Sequence, residues 1–344
     1  MEQQMRKGYT TLILGAVFSQ ANPAYSIGSM CDYLVNSGYG KCVDSEALLG
    51  SKSNLDTYFE KWDGYHSGNN EQEIYKPEQV TWNDADQTVS ILTQAETVEG
   101  HPFVSGAIRT KDKYTITKDS SNHSILRGGV EVTAKIPYGY GRWPAIWMMP
   151  YYDTRHTWPS GMEIDILEFM SPPFEVLGTI HYGLEIPGTT KASWNYNNDR
   201  NVYSVPAEGI DDGWHTYGLE WNVSNARVAL TWYFDGKPYY QIEMNKNNDK
   251  YTALTRNTQS GQTKNLFCQT PTEDCPTTYG VSLEEAAYQS FQNGFFGDQG
   301  DSEGYYLILN MAVGGPVSPE PNPSTFPVTE MKISDSHRYI INSP

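Results

Sequence analysis

Residues 161–170 read Gly-Met-Glu-Ile-Asp-Ile-Leu-Glu-Phe-Met, a strand-like apolar run that carries Glu163, Asp165 and Glu168. A charge in an apolar setting is costly unless it is paired or neutralised, and three neighbouring carboxylates repel. Any fold that accepts this segment must therefore give the acids an opening of their own. Side chains alternate along a strand, so Glu163 and Asp165 share a face, whereas strict alternation turns Glu168 away. One extra residue at Ile166–Leu167, a β-bulge, brings it back, and bulges are common beside active sites.

With that bulge the two glutamates stand as if four positions apart, roughly 13 Å between Cα atoms. Leaning inward they close to about 5–5.5 Å, the separation used by glycosidases that retain configuration. Asp165 between them would hydrogen-bond to one and hold their protonation states apart. A carboxyl that acts as an acid near neutrality needs a raised pKa, and burial and nearby negative charge both supply it. Two other readings fit the ten residues alone: a solvated strand face, and a calcium site built on hard oxygen ligands.

The flanks add context. Upstream stands Gly141-Arg142-Trp143-Pro144-Ala145-Ile146-Trp147-Met148-Met149-Pro150, then Trp158-Pro159-Ser160-Gly161 leading into the acids. Downstream come Gly178-Thr179-Ile180-His181-Tyr182-Gly183, Gly213-Trp214-His215-Thr216-Tyr217, Trp232-Tyr233-Phe234-Asp235-Gly236-Lys237 and Leu307-Ile308-Leu309-Asn310-Met311-Ala312-Val313-Gly314-Gly315. The run Glu-Ile-Asp-Ile-Leu-Glu resembles the bulged E-x-D-x-x-E signature of glycoside hydrolase family 16, and the other segments resemble that family's in the same order, over roughly residues 55–340. Within the family the chain is most similar to endo-1,3-β-glucanases of the laminarinase type. It departs at Met162, which separates Gly161 from Glu163, at Ala107, where many laminarinases carry arginine, with Arg109 two positions on, and over the polar residues 244–303, for which the resemblance offers no counterpart.

The resemblance implies an all-β fold: a β-jelly-roll sandwich of two curved antiparallel sheets with a concave substrate cleft. It implies Glu163 as nucleophile, Glu168 as acid and then base, and Asp165 in support. It places Trp147, Trp158 and His181 along the cleft, and Asn70 and Glu71 in the family's early N-N-E loop; Trp143 alternates with Ala145 and Trp147, so it shares their face and is a further candidate for substrate binding. His215 and Trp214 are assigned to structure. The chemistry requires no cofactor. Family members often bind a structural calcium on the convex face, whose ligands this sequence does not place. The implied partner is a β-glucan polysaccharide, and the closest alternatives are mixed-linkage glucans, galactans or transfer to a sugar. A non-catalytic glucan-binding protein is a further alternative, disfavoured because such relatives lack the glutamates.

Short strand-like runs recur between Gly, Pro, Asn and Asp clusters at 88–93, 129–136, 163–169, 176–182, 214–221, 228–234 and 305–313. Many short strands with turn signals point to a sandwich or barrel. Asp235-Gly236 is a hairpin turn. The best helix candidate is Ser282 to Phe291, with Ser282 as N-cap and Glu285 completing a capping box. One domain over 25–344, with an insert at about 244–303, is the economical organisation, and a monomer is expected.

The formal net charge of −17 argues against nucleic acid, whose binding rests on basic phosphate contacts. It also disfavours an anionic polysaccharide. Residues 1–24 read as a secretory signal: Arg6 and Lys7, an apolar stretch from Tyr9 to Phe18, and small residues at Ala21 and Ala24. That stretch is short for a membrane span, which needs about 20 residues, so no membrane partner is expected and the mature chain is expected outside the cell. Cys31, Cys42, Cys268 and Cys275 allow three pairings, of which the local loops Cys31–Cys42 and Cys268–Cys275 are the simplest.

Overall fold

The computed structural model describes residues 28–343, leaving aside 67–68, 152–157, 171–174, 186–191, 194–200, 204–212, 225, 249, 259, 266–276, 279–280, 297–303 and 317–320. The signal-like segment 1–24 and the pair Cys268 and Cys275 lie outside the described residues.

Two antiparallel sheets form the all-β sandwich that the resemblance implies, one of the two architectures to which the strand spacing points. The smaller has seven strands in the order Asn201–Tyr203, Glu175–His181, Glu163–Met170, Arg142–Pro150, Tyr305–Val313, Ala107–Arg109 and Glu60–Lys61. The larger has ten. It runs from Thr263–Asn265 through Lys250–Asn257, Lys237–Asn247, Arg227–Phe234, His215–Ser224, Arg127–Lys135, Thr329–Asn342 and Thr88–Thr93 to Val80–Asn83, with Lys41–Leu49 also paired to Thr329–Asn342.

The strands form where the sequence alternates or turns wholly apolar. Tyr305–Val313 is buried on both faces, as its apolar run, broken only by Asn310, requires for a strand covered on two sides. Asp235 and Gly236 take left-handed backbone (φ 49° and 71°) between two paired strands, the geometry of a two-residue hairpin. One core fills the space between the sheets. Ile146, Met148, Ile164 and Ile180 from the smaller sheet meet Val130, Leu219, Leu230 and Trp232 from the larger.

Three expectations are revised. The segment from 244 onward is no separate insert at its start: Lys237–Asn247, Lys250–Asn257 and Thr263–Asn265 extend the larger sheet. The helix runs from Leu283 to Phe296, one turn beyond the prediction. The Ser282 hydroxyl does accept from the Glu285 amide (3.1 Å), but the Glu285 carboxylate turns to Gln289 (2.7 Å), which is half of a capping box. The helices Met30–Ser37 and Lys52–Tyr58, capped by Ser29 and Ser51, fall within residues 25–65, whose mixed composition carries no clear periodicity.

Cys31 and Cys42 form the predicted local disulfide, with Cα atoms 5.8 Å apart. No helix among the described residues is long and apolar enough to cross a membrane, a statement about helices alone.

The sheets also touch at a point that matters for the acids. Trp232 Nε1 donates to the Asp165 carbonyl across the core (2.7 Å), and Gly178 faces the same indole. A Cβ on Gly178 would lie 2.5 Å from Trp232 Cδ1. Gly178→Ala is therefore expected to destabilise the protein by roughly 1–3 kcal/mol, as overpacking does. Denaturant unfolding checks this, and an unchanged midpoint would show that the indole moves aside freely.

Candidate active site

The acid strand Glu163–Met170 carries the bulge that the sequence calls for. Against Glu175–His181 the register slips between Asp165 and Glu168, and against Arg142–Pro150 between Asp165 and Leu167. One extra residue therefore sits at Ile166–Leu167. Ile164, Ile166, Leu167 and Phe169 enter the core. Glu163 and Glu168 remain partly open, and Asp165 is 3% exposed between them.

Residues opposite one another in an antiparallel ladder share a face. Glu163 lies opposite His181, Asp165 opposite Thr179 and Trp147, and Glu168 opposite Ala145. The next strand brings Ile308 opposite Trp147 and Asn310 opposite Ala145, and Arg109 follows opposite Ile308. This face is thus a band of acids with tryptophan, histidine and asparagine beside them.

Each glutamate is held by one indole. Trp158 Nε1 donates to Glu163 Oε2 (2.8 Å), and Trp143 Nε1 to Glu168 Oε1 (3.1 Å). The Thr179 hydroxyl donates to Glu168 Oε2 (3.3 Å). His181 Nε2 lies 3.1 Å from Asp165 Oδ2 and 3.6 Å from Glu163 Oε1. Burial, then the charge of Asp165, pushes the Glu163 carboxyl up to about 8; Glu168 adds to the rise, while His181 and the Trp158 hydrogen bond oppose it. Burial and the charge of Glu168 raise Asp165 well above its ordinary value. The Asp165 side chain is 4% exposed against 16% for Glu163, so Asp165 is the deeper carboxyl and keeps its proton after Glu163, raised to about 8, has released its own.

Of the predicted cleft residues, Trp147 and Trp158 are partly open, and Trp147 Nε1 donates to Asn310 Oδ1 (2.8 Å). Trp143 is 8% exposed and packs on Ala312, so its contact with the acids is the N–H rather than an open ring face. Glu71 is buried and accepts from His66 (3.1 Å), Asn69 (3.2 Å) and Tyr75 (3.3 Å). Burial works against its charge, but these bonds outweigh it and hold its pKa down, while burial and the Glu71 charge keep Glu73 protonated. Asn70 is exposed on a left-handed turn (φ 55°), and its neighbour Asn69 makes the contact to Glu71. His215 stacks on Phe234 (4.9 Å) and bonds Asp235 (2.9 Å), the structural placement expected of it.

Sequence reasoning missed several residues near the acids. Asn310 donates to Tyr75 (2.9 Å) while accepting from Trp147, and a lone asparagine in an apolar strand was the signal available. Trp62 lies under the Arg109 guanidinium (4.7 Å), which also pairs with Glu60. His66 is raised in pKa by its bond to Glu71, against the effect of burial, and it feels the Glu163 charge. Nothing local in the sequence marks His66 or Trp62.

Glu163, Asp165 and His181 place ligand atoms within 4.8 Å of one another. The set does not suit calcium, which takes six to eight oxygens, about twice what these side chains offer. Its donors are also engaged, Glu163 with the Trp158 N–H and Asp165 with the imidazole.

The family model for glycosyl hydrolases family 16 matches residues 67–265, more than half of the chain. The chain belongs to this family. A glucan endo-1,3-beta-glucosidase A1 of Niallia circulans is 27% identical, over 66% of this chain and 25% of its own length. A beta-glucanase of Rhodothermus marinus is 30% identical over 53% of this chain and 59% of its own. A keratan-sulfate endo-1,4-beta-galactosidase of Sphingobacterium multivorum is 32% identical over 42% and 35%. The chain thus spans under two thirds of the length of these relatives. Among solved structures, the laminarinase catalytic domain of Thermotoga maritima superposes with a TM-score of 0.56 at 21% identity, covering 89% of this chain and 99% of the other. That likeness makes the fold the family's jelly roll.

Proposed function

We propose that this family 16 chain is an exported endo-β-glucanase that cleaves 1,3-β-linked glucan with retention of configuration. The observation that carries the reading is the bulged strand, which puts Glu163 and Glu168 on one open face, each oriented by a tryptophan N–H. Glu163 as the carboxylate attacks C1 of the sugar while Glu168 gives its proton to the departing oxygen. A glycosyl ester on Glu163 results. Glu168 then takes a proton from water, which attacks C1 and frees Glu163. Two inversions leave the β configuration. Protonated Asp165 beside the nucleophile supports its negative charge, and His181, 3.1 Å from Asp165 Oδ2, fixes Asp165. The nearness of 1,3-glucanases among the relatives supports the linkage, and the Cys31–Cys42 disulfide supports export.

A second reading is cleavage of a galactan, supported by the keratan-sulfate relative. The net charge of −17 counts against a sulfated substrate. Digestion of laminarin, watched by NMR for the anomer released first and by chromatography for product length, tests both. Internal cleavage with β product first is expected. Absence of any release from laminarin, alongside cleavage of a galactan, would replace the first reading with the second.

A further inference from the structure

The helix Leu283–Phe296 lies in a segment that the family resemblance does not cover, yet it packs against the turn that leads into Glu163. The Ser290 hydroxyl donates to the Pro159 carbonyl (2.9 Å) and accepts from the Gly183 amide (3.4 Å). Pro159 adjoins Trp158, and Gly183 follows His181 by two residues. Trp158 Nε1 donates to Glu163 Oε2 (2.8 Å), whereas His181 Nε2 stands 3.6 Å from Oε1, beyond hydrogen-bond reach. One wholly buried hydroxyl therefore bridges the segments that carry Trp158 and His181, and reaches Glu163 through the Trp158 hydrogen bond.

The rest of the contact is equally tight. Asn293 Nδ2 reaches the Ser160 carbonyl (3.5 Å), and the Tyr305 hydroxyl donates to the Gly161 carbonyl (2.7 Å). Gly294 lies so close to that carbonyl that any Cβ would collide with it. Met162, buried and left-handed (φ 60°), closes the turn by donating to the Pro159 carbonyl (2.9 Å). Left-handed backbone is unfavourable for a residue with a side chain, so neighbours must hold it in place. The helix is placed to do so.

We propose that Ser290, with Asn293 on the same helix, is a positioning residue for Glu163, tying the turn behind Trp158 to the end of the strand that carries His181. The proposal rests on the reading of Glu163 as nucleophile. It gives the unmatched segment a role in catalysis without contact to sugar.

The test is kinetic. Ser290→Ala is expected to lower kcat on laminarin about ten-fold with KM within about two-fold, since a small misplacement of a reacting group costs rate rather than binding. Loss of a well-set Trp158 hydrogen bond also moves the Glu163 limb of the pH profile upward. In a Trp158→Phe background Ser290→Ala should cost under three-fold, because its route to Glu163 is already cut. Full additivity with Trp158→Phe, or parent kcat and an unmoved limb, would overturn the proposal. Asn293→Ala, at a partly exposed position, takes the same measurements if Ser290→Ala does not fold. Glu163→Gln assayed in parallel separates the claims: parent-like turnover there removes the proposed nucleophile itself, whereas an inactive Gln variant beside an unaffected Ser290→Ala removes only the positioning role.

Discussion

Glu163→Ala will lose turnover by about 10³-fold or more, and azide will restore part of it as the glycosyl azide of inverted, α configuration. Deleting a nucleophile removes a whole covalent step, and losses of that order follow in enzymes that depend on one. The missing carboxylate leaves room for a small anion on the same face of the sugar, so azide attacks from where Glu163 stood. Glu168→Ala should lose about 10²–10⁴-fold on laminarin, the range for removing a general acid. On an aryl glucoside with a good leaving group it should still form the glycosyl ester, and azide should then give the β azide. The two azide configurations assign the two roles independently of family resemblance. Exchanged products would exchange the roles, and no azide product from either variant would remove the double displacement.

Glu163→Gln will be more stable than the parent at pH 8, although inactive. The Glu163 carboxyl is raised from 4.5 to about 8, by burial first and the Asp165 charge second. Between those values the folded protein holds a proton that the unfolded chain has released. The stability linked to this group is therefore complete below pH 4.5 and drains away as pH rises through about 8. At about 1.4 kcal/mol per pH unit the full window would amount to several kcal/mol. The side chain is 16% exposed and shares its charge with His181, so about 1–3 kcal/mol is the expected gain on substitution. Denaturant midpoints at pH 5 and pH 8 decide it: the gap between variant and parent must widen with pH. A slope should persist in the variant, because Asp165 and Glu131, the latter raised by burial to about 7, act with the same sign. A Gln variant less stable than the parent at pH 8 would sink the account. A favourable outcome shows activity maintained at the expense of stability.

The bulge was legible because three acids cannot share a strand with a buried face unless the alternation slips. The strand Thr88–Thr93 and the hairpin at Asp235-Gly236 were legible because apolar pattern and turn chemistry are local. The strands beyond residue 244 were not. Lys250–Asn257 is Lys-Tyr-Thr-Ala-Leu-Thr-Arg-Asn, a polar strand next to the sheet's edge whose alternation is too weak to separate from loop. The short helices Met30–Ser37 and Lys52–Tyr58 are fixed by tertiary packing of Met30, Leu34 and Leu55 rather than by propensity. The Ser290 contact joins residues 131 positions apart through a side chain and a carbonyl, and such contacts have no sequence signature. His66 was invisible for a related reason: its partner Glu71 gave a signal of its own, and the histidine gave none.

The strand Thr329–Asn342 has consequences for how the molecule assembles. Its neighbours are Lys41–Leu49, Thr88–Thr93 and Arg127–Lys135, all some two hundred or more residues earlier. None of these pairings can be made by a local hairpin, so each must await a long loop closure. High contact order of this kind slows folding. Until the late strand arrives, the earlier ones present raw edges, and the early chain depends on being kept apart from its own copies while it waits.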